Sequence, residues 1–107
     1  MKLLVKYKGK YSAGLLWRDE TGYHFEYDDE FLSNENTFPI SVNMPKVQKK
    51  YNSNKLFPNF QSMLSEGFNR ALQCKALGID IEDDWNLLIY TCQKNTIGAI
   101  TIEKAEE

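Results

Sequence analysis

Apolar and polar residues alternate with a period of two from Lys2 to Lys8, where Leu3, Val5 and Tyr7 share one face and lysines dominate the other. That is the pattern of a half-buried strand. Gly9-Lys10 offers a turn, and Tyr11, Ala13, Leu15 and Trp17 continue the same period. Asp19-Glu20-Thr21-Gly22 is a second turn with glycine in its last position. Tyr23, Phe25 and Tyr27 then alternate with His24 and Glu26. The connections are too short for helical crossovers, so an antiparallel meander of three strands is predicted.

Asp28 to Asn34 predicts a single helical turn, with Asp28 or Asp29 available as its cap. Phe38, Ile40 and Val42 alternate once more and predict a fourth strand, with Pro39 starting it or facing an edge. From Pro45 to Lys55 the chain turns polar, with four lysines, two asparagines and a serine in PKVQKKYNSNK. This predicts a long exposed loop whose lysines form either a local basic patch or a plain solvated face.

The period then changes. Pro58 suits the first turn of a helix, where a missing N–H costs nothing. Phe60, Met63 and Leu64 make one apolar stripe, and the helix is broken or bent at Ser65-Glu66-Gly67. A second helix carries Phe68, Ala71, Leu72 and Leu77 and stops at Gly78. Asp80 is placed to cap a third, with Glu82, Asp83 and Asp84 in its first turn and Trp85, Leu88, Ile89 and Cys92 on its apolar face. Ile97 to Glu103, rich in β-branched residues, predicts a short strand that returns to the sheet. The predicted fold class is α+β: a small antiparallel sheet of about five strands, curled or barrel-like, followed by two to three helices in a single domain over residues 1–107.

Composition narrows the function. At 107 residues, 42% hydrophobic and 26% charged, the chain has the balance of one globular domain rather than a disordered segment. A net charge of −2 leaves no footprint for direct nucleic-acid binding. No apolar run approaches the roughly 18–20 residues that span a membrane. MKLLVKYKGK carries a charge every few residues and is no signal peptide. Cys74 and Cys92 fit no metal pattern, which suits a reduced, cytoplasmic chain.

Candidate chemistry is sparse. His24, the single histidine, has no Ser or Cys nucleophile near it in sequence and is expected on the surface without a role. Asp80, Glu82 and Asp84 have the alternate spacing of a calcium loop, but Trp85 stands where that loop needs glycine and Thr91 where it needs glutamate. Gly9-Lys10 lacks the flanking residues of a phosphate loop, and no kinase catalytic loop is present. The expectation is a protein with no catalytic residues, metal or cofactor of its own.

One resemblance covers nearly the whole chain in order. MKLLVKYKGKYSAGLLWRD, YHFEYDDEFL, FPISVNMP, FPNFQSMLSEGF, ALGIDIEDDWNLL and NTIGAITI are together similar to the N-terminal subdomain of HipA-type serine/threonine kinases. The kinase core that follows in that family is not among these residues, so a free-standing subdomain is expected. A free-standing copy resembles the small HipS protein of three-gene HipB–HipS–HipT toxin–antitoxin systems. The resemblance implies an antitoxin that binds and neutralises a HipT-like kinase, with the DNA-binding HipB as a possible third member of the complex.

It further implies a partner-binding corner of Phe60, Leu64, Ser65, Glu66, Gly67 and Phe68, with Phe68 projecting toward the kinase active site. Ser65 stands where the family usually has proline, and Phe68 where tryptophan is common. By spacing alone Phe68 is read first as a core residue at a helix start, packed on Leu64 and Leu72; only the resemblance brings the displayed position level with it. Two other roles stay open: a regulatory subunit that completes a split HipA kinase, and a bridge to HipB.

Overall fold

The computed structural model describes residues 2–91, 96–97 and 100–105. Among them, strands β1 (Lys2–Tyr7), β2 (Tyr11–Asp19) and β3 (Gly22–Tyr27) form the expected meander. They are followed by α1 (Asp29–Ser33), β4 (Lys50–Ser53), α2 (Pro58–Gln61), α3 (Gly67–Leu77), α4 (Asp84–Thr91), β5 (Thr96–Ile97) and β6 (Ile100–Lys104). The fold is α+β. All strand pairs are antiparallel, in the order β4-β3-β2-β1-β6-β5, so β6 returns to the sheet beside β1, where Leu3 faces Lys104. No helix among the described residues is long and apolar enough to cross a membrane.

One face of the sheet is dry. Leu3, Val5, Leu16, Phe25 and Tyr27 are fully buried there and are covered by apolar residues of the helical half, among them Phe60, Leu87 and Leu88. The other face carries cross-strand ion pairs, Lys6–Glu103 at 3.3 Å and Lys50–Glu26 at 3.4 Å. The β1–β2 turn closes through Lys10 N–H donating to Tyr7 O at 3.1 Å, with Lys8 and Gly9 both left-handed. That is the two-residue turn whose twist matches a hairpin.

The period of two in β2 does not run through. Val5 faces Gly14 and Lys6 faces Ser12, so Ala13 is an extra residue, a β-bulge that reverses the alternation. Ala13 and Leu16 therefore enter the core, whereas Leu15 and Trp17, expected on the inner side, face outward and are only half-buried. Gly14 makes the bulge possible. A Cβ there would lie 2.2 Å from the carbonyl oxygen of Glu26 and 3.0 Å from the Phe25 ring.

The fourth strand is also displaced. Phe38 and Val42 are 70% and 94% exposed, and only Ile40 turns inward. The free edge of β3 is taken instead by Lys50–Ser53, inside the stretch expected to be loop. A buried tyrosine decides this competition. The Tyr27 hydroxyl accepts the Ile40 N–H at 3.1 Å and donates to Met44 O, so residues 40–44 turn around it and cannot extend along β3. Tyr51 of β4 then packs edge-on against Tyr27, its own hydroxyl bonded to Pro45 O at 2.6 Å. Three of the four lysines of this stretch are engaged. Lys46 caps Asn34 O and Thr37 O, Lys49 pairs with Asp29, and Lys50 pairs with Glu26.

Two caps differ from expectation. Asp28 sits at the start of α1, but its carboxylate accepts from the Ser12 hydroxyl and caps no helix N–H. Asp83, not Asp80, caps α4 through Asn86 N–H at 3.1 Å, and Asp80 closes the preceding turn onto Glu82 N–H at 2.8 Å. Trp85, Leu88 and Ile89 are buried as expected, and Leu87 joins them; Cys92 lies outside the described residues.

Gly14→Ala is expected to destabilise the fold by about 2 kcal/mol or more, as overpacking against backbone does. Chemical denaturation measures it directly; a loss below about 0.5 kcal/mol would show that the bulge can give way.

Candidate partner-binding corner

Pro58 occupies the first position of α2, and the helix lasts only to Gln61. It tightens at its end, with Met63 N–H bonded to Phe60 O at 3.1 Å and Leu64 N–H to Gln61 O at 3.0 Å. Such i→i+3 bonds satisfy the last carbonyls while turning the chain. Phe60, Met63 and Leu64 are 0%, 7% and 5% exposed, so this short segment is nailed to the sheet side of the core. Phe60 rests on Phe25 and Phe57, with ring centroids 5.9 and 6.2 Å away.

Beyond Leu64 the chain comes out to the surface. Glu66 is extended (φ −121°, ψ 164°), and Gly67 reverses the path with φ +59°. No neighbour lies within 4 Å of a Cβ built at Gly67, so the requirement for glycine is one of backbone conformation and not of space. A left-handed L-residue there would cost about 1–2 kcal/mol. Phe68 follows within the first turn of α3 and is 77% exposed. It does not pack as core on Leu64. A shallow cleft of about 210 Å³, lined by Pro58, Ser62, Ser65, Glu66 and Arg70, opens beside it. Glu66 makes no ion pair among the described residues and stands at the positive end of α3, which suits a carboxylate.

The six residues expected to form the corner thus separate into two layers. Ser65, Glu66, Gly67 and Phe68 lie at the surface, while Phe60 and Leu64 are covered and support them from beneath. Sequence reasoning missed the residue that orients α3. Arg70 donates through Nε and Nη2 to Ile81 O at 2.8 and 2.6 Å and pairs with Asp84 Oδ1 at 2.7 Å. Only 16% of the Arg70 side chain is exposed. No local spacing signals a contact made 11 and 14 residues away.

His24 is not the idle surface group expected. Its side chain is only 13% exposed and stacks 5.4 Å from Trp17. Nδ1 lies 2.5 Å from Asn52 Oδ1 and Nε2 lies 2.8 Å from Asp19 Oδ1. With an oxygen acceptor opposite each nitrogen, the ring is satisfied as the imidazolium, which donates to both. The hydrogen bond to Asn52, and then that to Asp19, raises the His24 pKa above 6.5. Asp19 is lowered to about 2, first by the Thr21 hydroxyl and next by His24. This knot ties the β2–β3 turn to β4 on the outer face, far in sequence from the corner. Its one hydroxyl, Thr21 Oγ1, donates to Asp19 Oδ1 at 2.6 Å and lies 2.9 Å from His24 Nε2.

A profile described as the HipA N-terminal domain matches residues 3–103. An uncharacterized protein of Haemophilus influenzae is 30% identical over 94 residues, 88% of this chain and 84% of that one. A putative kinase of Sinorhizobium fredii, Y4mE, is 33% identical over 64 residues, 60% of this chain but 15% of the kinase. The solved N-terminal domain of a HipA toxin superposes with a TM-score of 0.67 at 24% identity, covering 99% of this chain and 93% of that domain, a likeness of fold.

The sign of the pH dependence follows from the knot. Asp19 contributes stability above its ordinary value of 3.8 and loses it as pH falls toward 2; His24 contributes below 6.5 and loses it as pH rises through its elevated folded value. Both act together between these limits. The single histidine gives one resolvable NMR titration, expected with a midpoint above 6.5 and moved downward by Asp19→Asn. A wild-type midpoint at or below 6.5 would contradict the assignment.

Proposed function

The chain belongs to the HipA N-terminal domain family, and on that footing we propose that it is a non-catalytic antitoxin that binds and inhibits a HipT-like serine/threonine kinase. The observation that carries this reading is Phe68, 77% exposed on a corner whose underside is buried. An aromatic side chain held out in this way loses little entropy on binding and buries much area, as the anchors of protein interfaces do.

Phosphoryl transfer needs nucleotide, magnesium and acceptor hydroxyl in line within a closed site. A phenyl ring lodged there stops the reaction by occupancy alone. In this reading Glu66 pairs with a basic phosphate-binding group of the kinase, and Ser65 occupies the place of a substrate hydroxyl. HipB joins as the DNA-binding member of a ternary complex. The small protein acts in the cytoplasm, where its kinase does.

A second reading is favoured by the match to a segment of the putative kinase Y4mE. A domain that forms part of a kinase chain elsewhere can, as a separate chain, complete a split kinase and promote its activity. Titration separates the two. Phosphorylation by the kinase encoded beside this gene is expected to fall as the chain approaches one equivalent, and Phe68→Ala to restore most of it. Because Phe68 is exposed, that substitution should leave Tm within about 3 °C. A rise in activity would replace inhibition with the split-kinase role; a large drop in Tm would make Phe68 structural.

A further inference from the structure

Helix α3 is mounted inside out. Successive residues advance by about 100° around an α-helix, which puts Phe68, Ala71, Leu72, Lys75 and Ala76 on one face. All five are exposed, Phe68 by 77% and Leu72 by 51%. The opposite side, toward the body of the protein, carries Arg70, Gln73, Cys74 and Leu77; of its two apolar residues Cys74 is buried and Leu77 is 46% exposed. Gln73 Oε1 is buried there without a hydrogen-bond partner. A helix free to roll would turn its apolar stripe inward and its amide outward. The Arg70 hydrogen bonds to Ile81 O and its ion pair with Asp84 hold it in the other orientation.

We infer that the outward stripe of α3 is a second docking surface for the same kinase, an apolar helix face laid along a groove that begins where Phe68 enters. The inference rests on the inhibitory reading above. Three features select this occupant over others. The stripe is continuous with the Phe68 corner, so one partner covers both. From Phe68 to Ala76 it runs about 12 Å, the reach of a helix-in-groove contact. Its single charge, Lys75, has no carboxylate within ion-pair distance among the described residues. The facing groove is therefore apolar, with an acidic residue opposite Lys75. Leu72 supplies the buried anchor, while Ala71 and Ala76 allow close approach of the backbone.

The test uses the full chain and the kinase, with Kd measured for Leu72→Glu, Ala76→Glu and Lys75→Glu. Val47→Glu, at a position 92% exposed on a separate loop, is the control. The two apolar-to-acid changes are expected to weaken binding about tenfold or more, as loss of a central anchor does, with thermal melts unchanged. Lys75→Glu should weaken binding mainly at low salt, and Val47→Glu should not matter. If the stripe variants bind like wild type while Phe68→Ala loses inhibition, the stripe is no docking surface and the inhibitory reading survives. If the wild-type chain does not bind the kinase, that reading falls and the stripe with it. A free-chain dimer split by Leu72→Glu at unchanged kinase affinity would assign the stripe to a second copy and overturn the inference.

Discussion

The Tyr27 hydroxyl sits where most of the fold's choices meet. It is an isolated polar atom in an apolar interior, and it is tolerable there only because it accepts from Ile40 N–H and donates to Met44 O. Burial holds its proton on, with the pKa pushed up to about 12, so it remains a donor across the physiological range. Its ring lies 4.9 Å from Phe25, 5.6 Å from Phe31 and 6.3 Å from Tyr51. One side chain thereby joins the third strand, the first helix, the following loop and the edge strand. Once residues 40–44 are wound around it, β3 has an open edge, and the polar segment 50–53 fills it.

The helical half is governed by a different kind of constraint. Apolar burial fixes the end of α2, but it does not orient α3, whose apolar residues mostly face away from the core. Orientation comes from a guanidinium that satisfies a backbone carbonyl and a carboxylate at once, in partly desolvated surroundings where such bonds are strong. The corner therefore has a covered base set by packing and an exposed crest set by polar bonds. The residues that position this crest are not those that it exposes.

What the sequence disclosed follows the same division. The meander was legible because tight turns and strict alternation leave few alternatives. The reversal in β2 was not, since a bulge adds one residue without changing composition; its signal was Gly14 inside a strand otherwise carried by leucines and aromatics. Phe38, Ile40 and Val42 alternate as a strand does, but alternation describes a face and not the availability of a neighbour. At the corner, Gly67 marked the break, and resemblance to the HipA domain marked Phe68 as the residue displayed. Spacing was mute on direction, because Phe68, Ala71 and Leu72 form the same stripe whether it turns in or out. That was decided by Arg70, through partners no local pattern reveals.

The pairing of β1 with β6 has a consequence in time. Leu3 and Lys104 are neighbours in the sheet although nearly the whole chain lies between them, so this ladder closes a very large loop. Loop entropy opposes that closure until most other contacts exist, which makes it a late step. During synthesis β1 emerges first and waits, one edge covered by β2 and the other bare, until β6 has left the ribosome. The protein therefore passes through a nascent stage with a Leu- and Val-bearing strand edge open to other chains, a hazard that ends when β6 pairs with it.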